Sequence, residues 1–233
     1  MLDTKNLLSK HFLFQGLNES DTEAIAKLFI ERQYKLGEIL FLKGDKSLDM
    51  MLVVKGKVHI TANSIDGKEI ILNALGPGGI IGEIALLDGK PRSAQATMIE
   101  DSLMLVIRRN DFMQLLHQKP DLAIHLMILL CQKLRDTSEI VENIALNSVP
   151  VRLAKFLLKE SKVDLGRIEA NESFILQHTQ TEIGNFIGSG RERVNRILHD
   201  WEDRKIISIT PDNKTVTLLK PDALKNIADN NFL

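Results

Sequence analysis

Gly82-Glu83-Ile84-Ala85-Leu86-Leu87-Asp88-Gly89-Lys90-Pro91-Arg92-Ser93-Ala94 is the most constrained run in this sequence. A glycine ahead of a short helical turn lets backbone N–H groups come close to an anion. Arg92 offers a planar fork for a phosphate, Ser93 a hydroxyl, and Glu83 an acceptor for a sugar hydroxyl. A phosphorylated ribose needs that combination. The same residues also suit a plain β-turn in which Glu83 and Arg92 pair with each other. Other glycine-rich readings fail: in Gly76-Pro77-Gly78-Gly79-Ile80-Ile81-Gly82 an isoleucine stands where a dinucleotide fingerprint needs its third glycine, and no Lys-Ser/Thr pair follows to make a P-loop.

Around this run, nine of the 14 glycines fall between residues 37 and 89, with short apolar runs such as Met51 to Val54 between them. That spacing predicts many short strands joined by tight turns, a β-barrel or roll over residues 31–107. Ser20, with Glu23 three residues on and Ile25, Leu28 and Phe29 at helical spacing, predicts a small helix before it.

From Pro120 glycine is absent until Gly166, and the period changes. Ala123, Met127, Leu130, Leu134, Thr137, Val141, Ile144 and Ser148 recur at alternating steps of four and three, the seam of a two-stranded coiled coil. A helix over residues 120–147 would be roughly 42 Å long. Leu122, Leu126 and Leu129 lie on a neighbouring face, so packing on the barrel competes with a dimer seam, and both can hold. The pattern breaks at Asn147-Ser148-Val149-Pro150, where Ser148 can cap a new helix with Pro150 in its first turn. A second domain starts there; Val151 to Lys159 reads as helix and Glu160 to Ser173 as a polar stretch.

Toward the C-terminus, Thr179 with Glu182 and Ser189 with Glu192 form two capping-box patterns ten residues apart, each marking a helix start. The first helix turns Ile183, Phe186 and Ile187 inward, and Gly188-Ser189-Gly190 makes the turn. The second turns Val194, Ile197, Leu198 and Trp201 inward, leaving Arg191, Glu192, Asn195 and Arg196 outward near its N-terminus. Such a helix-turn-helix presents those N-terminal residues to base edges in the major groove. Arginine can bond guanine O6 and N7, and a carboxylate can accept from cytosine N4. A solvated face with intrahelical ion pairs is the competing reading of those charges. Ile206 to Thr210 and Thr215 to Leu219 alternate around Pro211-Asp212-Asn213-Lys214, a hairpin that would be the wing.

Bulk properties narrow the classes. With Lys+Arg 30 against Asp+Glu 31, 44% hydrophobic and 26% charged residues, the chain reads as an ordinary globular protein. A lone Cys131 makes no intramolecular disulfide, no cysteine zinc site and no iron–sulfur cluster, which fits a reducing, cytoplasmic setting. The longest apolar run, Leu126 to Cys131, is too short to span a membrane. The six histidines show no metal-ligand spacing, and no nucleophile stands near a base in sequence, so an enzyme is not expected.

The run over residues 82–94, KLGEILFLKGD and MLVVKGKVHI before it, KLRDTSEIVENIA in the long helix and TEIGNFIGSGRERVNRIL near the end together resemble the CRP/FNR family of bacterial transcription regulators. The resemblance spans nearly the whole chain. It implies an α+β protein: a cyclic-nucleotide-binding β-roll domain over residues 1–119, a dimerisation helix over 120–147, and a winged helix-turn-helix DNA-binding domain over 148–233. By the same resemblance the ligand is cyclic AMP, with no metal, haem or iron–sulfur cluster. Glu83 would bind the ribose 2′-hydroxyl, Arg92 and Ser93 the cyclic phosphate, and the backbone from Gly82 through Ile84 to Ala85 would complete the cradle. Thr137 and Ser138 would contact adenine, one from each subunit of a homodimer. Thr179, Ser189, Arg191, Glu192, Asn195 and Arg196 make up the expected DNA-contacting set, implying half-sites similar to TGTGA on double-stranded DNA.

Two departures stand out. Ile81 replaces the phenylalanine that often precedes Gly-Glu in the family, and Lys162 to Ser173, near the surface that would touch RNA polymerase, has no clear match. Members that answer to cyclic GMP, a cyclic dinucleotide or no ligand are the alternative.

Overall fold

The structure, a computed structural model, describes residues 3–161, 171–212 and 214–229. The chain divides into two units, residues 1–68 with 72–137 and residues 69–71 with 138–233.

The first unit opens with α1 (Thr4–Lys10), a 3₁₀ turn (Phe12–Phe14) and α2 (Glu19–Ala26). The cap of α2 is not Ser20. Asn18 holds that place, its side chain accepting from the Asp21 N–H at 2.8 Å, because an equally good capping residue occurs first along the chain. Then follow β1 (Ile30–Tyr34), β2 (Ile39–Phe41), β3 (Met50–Lys55), β4 (Val58–Asn63), β5 (Glu69–Leu75), β6 (Ile80–Ile81), the short helix α3 (Glu83–Asp88), β7 (Gln95–Met98) and β8 (Ser102–Ile107). They form two four-stranded sheets, ordered β1-β8-β3-β6 and β2-β7-β4-β5, the β-roll expected over residues 31–107.

The two central strands explain the layering. In β3 and β8 successive side chains alternate between faces. Met51, Val53, Met104 and Val106 meet Phe41, Val58, Ala96 and Met98 in one core. Their neighbours Met50, Leu52, Leu105 and Ile107 join a second core with Leu8, Phe14 and Ile25. Strands buried on both faces read as continuous apolar runs, which is why Met50–Lys55 and Ser102–Ile107 lack polar alternation.

After β8 come α4 (Arg109–Gln118) and α5 (Pro120–Leu146). Helix α4 has no counterpart in the sequence reading. Helix α5 carries two faces. Leu122 and Leu126 are buried in the second core with Phe112 and Leu115, with Leu129 packed beside them. Met127, Leu134 and Val141, seven residues apart on the expected seam, are 56%, 67% and 60% exposed.

In the second unit, α6 (Val149–Ser161) is followed by β9 (Glu172–Ile175), α7 (Gln180–Ile187), α8 (Arg191–Asp203), β10 (Ile207–Ile209), β11 (Thr215–Leu218) and α9 (Pro221–Ala228). The expected hairpin is present as β10 and β11, and β9 pairs antiparallel with β11 to make a third strand that the polar sequence did not signal. Of the unmatched stretch 162–173, residues 162–170 lie outside the described residues, as does Asn213 in the hairpin turn. Leu153, Leu157, Ile183, Val194, Leu198 and Trp201 share one core with Val216, Leu218 and Leu224. That core seats α7 and α8 on α6 and leaves Arg191, Glu192 and Arg193 at the start of α8 outside. No helix among the described residues is long and apolar enough to cross a membrane.

Candidate functional site

The cradle is built around Gly82, which joins β6 to α3. Its φ of 84° is left-handed, a conformation glycine adopts without strain. Space demands glycine as well: a Cβ there would overlap Arg92 Nη1 and sit 2.6 Å from the Asp49 carbonyl oxygen. The first intrahelical bond of α3 is Leu86 N–H to the Gly82 carbonyl, so the amides of Glu83, Ile84 and Ala85 precede it and can serve an outside partner.

Arg92 is 3% exposed and inserts under this turn. Its Nη1 donates to the Gly82 carbonyl at 3.0 Å, Nη2 to the Asp49 carbonyl at 2.7 Å, and Nε to Ser47 Oγ at 2.9 Å. The Phe41 ring stacks 4.2 Å from the guanidinium carbon. Burial pushes the Arg92 guanidinium below its ordinary range, while the charges of Asp49, Glu83 and Asp45 hold it up. Three of its five N–H groups are committed to the protein, which leaves two for a ligand. Backbone bonds from Gly44 N–H to the Arg92 carbonyl and from Arg92 N–H to the Asp45 carbonyl, both 2.8 Å, fasten the neighbouring loop to it.

Glu83, also 3% exposed, does not pair with Arg92 as the plain β-turn reading would have it. Its carboxylate accepts from Lys133 Nζ at 2.9 Å, and the same ammonium donates to the Ile80 carbonyl at 2.8 Å. Lys133 therefore straps α5 to both sides of Gly82. Arg92 is committed instead to the Gly82 and Asp49 carbonyls and to Ser47, and α5, distant in sequence, supplies the partner of Glu83. One helical turn on, the exposed Thr137 donates its hydroxyl to the Lys133 carbonyl at 2.8 Å. Ser93 and Ser138 are exposed. The structure thus gathers Gly82, Glu83 and Arg92 at one place and ties the α5 face bearing Thr137 to it.

Sequence reasoning missed Lys133, Ser47, Asp49 and Phe41. Lys133 lies four residues before Thr137, and that i, i+4 relation was the available signal. Ser47 and Asp49 act partly through geometry, Asp49 by its carbonyl, which residue type does not disclose.

In the second unit, the capping box of Thr179 and Glu182 is formed: Thr179 Oγ1 accepts from the Glu182 N–H at 3.2 Å, and the carboxylate accepts from the Thr179 N–H at 2.8 Å. The second capping box is not. Gly190 is the cap of α8, with no side-chain cap bond. Ser189 is occupied in closing the turn, its N–H donating to the Gly184 carbonyl at 2.8 Å, so the helix starts one residue later. A Cβ on Gly184 would lie 2.6 Å from the Ser189 carbonyl oxygen, so glycine there permits the close approach of α7 and the turn. Arg191, Glu192 and Arg196 are exposed on the outer side of α8, whereas Asn195 is half-buried and accepts from Gln180 Nε2 at 3.4 Å.

Comparison with known proteins identifies both domains. Residues 31–119 match the cyclic nucleotide-binding domain family, and residues 151–227 match the Crp-like helix-turn-helix domain. The chain is 32% identical over 216 residues to a cyclic AMP receptor protein of Thermus thermophilus, covering 93% of this chain and 96% of that one. It is 33% identical over 177 residues to the cAMP-activated global transcriptional regulator CRP of Pasteurella multocida, covering 76% and 84%. The fold resembles that of the c-di-GMP responsive global regulator CLP of Xanthomonas campestris, with a TM-score of 0.75 at 22% identity over 86% of this chain and 99% of that one. With both domains matched in order and a full-length relative above 30% identity, the chain belongs to the CRP/FNR family and is a cyclic nucleotide-binding, DNA-binding transcription regulator.

Proposed function

We propose that the ligand is cyclic AMP and that the protein acts as a homodimer whose DNA affinity rises when the nucleotide is bound. The observation that carries this reading is the convergence of buried Glu83 and Arg92 on Gly82, with Lys133 joining Glu83 to the helix that bears Thr137. Residues 1–119 hold the nucleotide, 120–147 form the dimer helix and 148–233 read DNA. The protein is a binding protein in this reading, and not an enzyme.

The two free N–H groups of Arg92, the Ser93 hydroxyl and the amides at the start of α3 meet the cyclic phosphate. Glu83 accepts from the ribose 2′-hydroxyl, in competition with Lys133. Thr137 of one protomer and Ser138 of its partner meet adenine across the seam of Met127, Leu134 and Val141. A ligand shifts an equilibrium only through unequal affinity for its two states. Here the inequality arises where the ligand enters the Glu83–Lys133 contact and so biases α5. Two copies of α8, facing successive major grooves about 34 Å apart, then engage a palindrome. Arg191, Glu192, Asn195 and Arg196 read bases, and Thr179 and Ser189 stand beside the backbone. RNA polymerase is the downstream partner.

Fluorescence anisotropy with a labelled duplex carrying two TGTGA-like half-sites tests this. Cyclic AMP should tighten binding by about tenfold or more, an ordinary size for coupling between two sites. Equal affinity with and without the nucleotide would overturn ligand control.

A further inference from the structure

A groove of about 700 Å³ lies between α8 and α9, with Pro150 of α6 at its edge. Neither nucleotide binding nor base reading accounts for it. Its floor is apolar, made by Ile197 and Trp201 of α8, Ile206 just beyond, and Ile227 of α9. Its rim carries Arg193, Arg196 and Arg204 with Asp200. Asp200 is already paired with Arg204 at 3.4 Å, and neither Arg193 nor Arg196 forms an ion pair among the described residues. Arg152 adds to the positive field: burial first, and the nearby charge of Arg193 second, hold its guanidinium below the ordinary range.

The volume is that of a small-molecule site, which combines an apolar lining with a few placed polar groups. A bare inorganic anion would satisfy the arginines and leave the floor wet. A neutral apolar molecule would fill the floor but gain nothing from the two exposed guanidinium groups at the rim. We infer that this groove binds a small organic carboxylate with an apolar body, and that such a ligand antagonises DNA binding. The carboxylate takes the forks of Arg193 and Arg196, and the body lies over Ile197, Trp201 and Ile227. The antagonism rests on the proposed role of Arg196 in base reading, because one planar fork cannot serve a carboxylate and a guanine together.

Trp201 is the single tryptophan of the chain, so its emission reports the groove. The test titrates the full chain, without DNA, with phenylbutyrate and in parallel with the uncharged phenylbutanol. A saturable change is expected, with the acid binding about tenfold or more tighter than the alcohol, the worth of one charge-assisted hydrogen bond. Arg193→Glu, on an exposed side chain, should remove that preference, and Ile227→Asp should remove the response to both. Should Ile227→Asp not fold, as circular dichroism would show, Arg193→Glu decides the matter. Unchanged emission, or equal binding of acid and alcohol, would overturn the site. Added to the duplex assay, phenylbutyrate should raise the apparent Kd for DNA; binding in the groove without displacing DNA would overturn the antagonism. A chain that binds the acid but no DNA would overturn the reading of α8, and the antagonism with it, while the groove stands.

Discussion

The carboxylate of Glu83 and the ammonium of Lys133, fifty residues apart in sequence, meet at 2.9 Å where α5 passes the Gly82 turn. Glu83 is nearly sealed from water, its side chain 4% exposed against 25% for Lys133. A buried carboxylate must be paired or pay a desolvation penalty, so this contact ties the position of α5 to the Gly82 turn.

Replacing Lys133 by Met should leave Glu83 buried and uncompensated. Loss of one partner of a fully buried pair costs more than the loss of both. Because Lys133 is a quarter exposed and water can take part of its place, the expected loss is about 2 kcal/mol rather than the upper range. Urea unfolding checks it, with Lys133→Arg restoring most of the stability. An unchanged midpoint for Lys133→Met would deny the coupling.

Gly82→Ala should be worse than its single methyl group suggests. A left-handed φ costs an alanine about 1–2 kcal/mol, and its Cβ would also overlap Arg92 Nη1, so the guanidinium must leave its bonds to Gly82 and Asp49. Lowered thermal stability together with loss of nucleotide binding is expected in differential scanning fluorimetry with and without cyclic AMP. A variant that still gains stability from the nucleotide would show that the turn tolerates displacement.

Glu192→Ala tests the orientation of α8. An acceptor aimed at a base edge discriminates by roughly 1–3 kcal/mol at one position of the half-site. Binding to a panel of single-base variants should therefore show relaxed preference at one position with the others kept. A uniform loss over the whole panel would make Glu192 a structural residue of the first turn.

The legible parts of the sequence were those where one residue type has few alternative uses. Gly82 and Arg92 could be found because a left-handed turn and a buried guanidinium each need a specific residue. The seam of α5 was visible because its period persists through Val141 and Ile144, beyond the buried Leu122 and Leu126. Helix α4 escaped because, although Phe112, Met113, Leu115 and Leu116 pack on the second core at helical spacing, ten residues leave that pattern a single repeat. Strand β9 escaped for a related reason: in Glu172–Ile175 the buried partners are supplied by β11 and the helices, not by the strand's own pattern. Ser189 fitted a capping box by spacing alone, yet its backbone was needed to close the turn at Gly184, and Gly190 took the cap. Lys133 could be flagged only by its i, i+4 spacing to Thr137, because its partner Glu83 lies in another element.

Isothermal titration of the purified protein with cyclic AMP, and with cyclic GMP as the control, bears most directly on the nucleotide assignment. Tight binding of cyclic AMP with about tenfold or greater preference over cyclic GMP is expected, because each properly formed polar contact to the base is worth roughly 1–1.5 kcal/mol. Thr137→Ala should narrow that preference more than it weakens binding as a whole. Absence of heat with either nucleotide, or equal affinity for both, would contradict the assignment of cyclic AMP to the cradle formed by Gly82, Glu83 and Arg92.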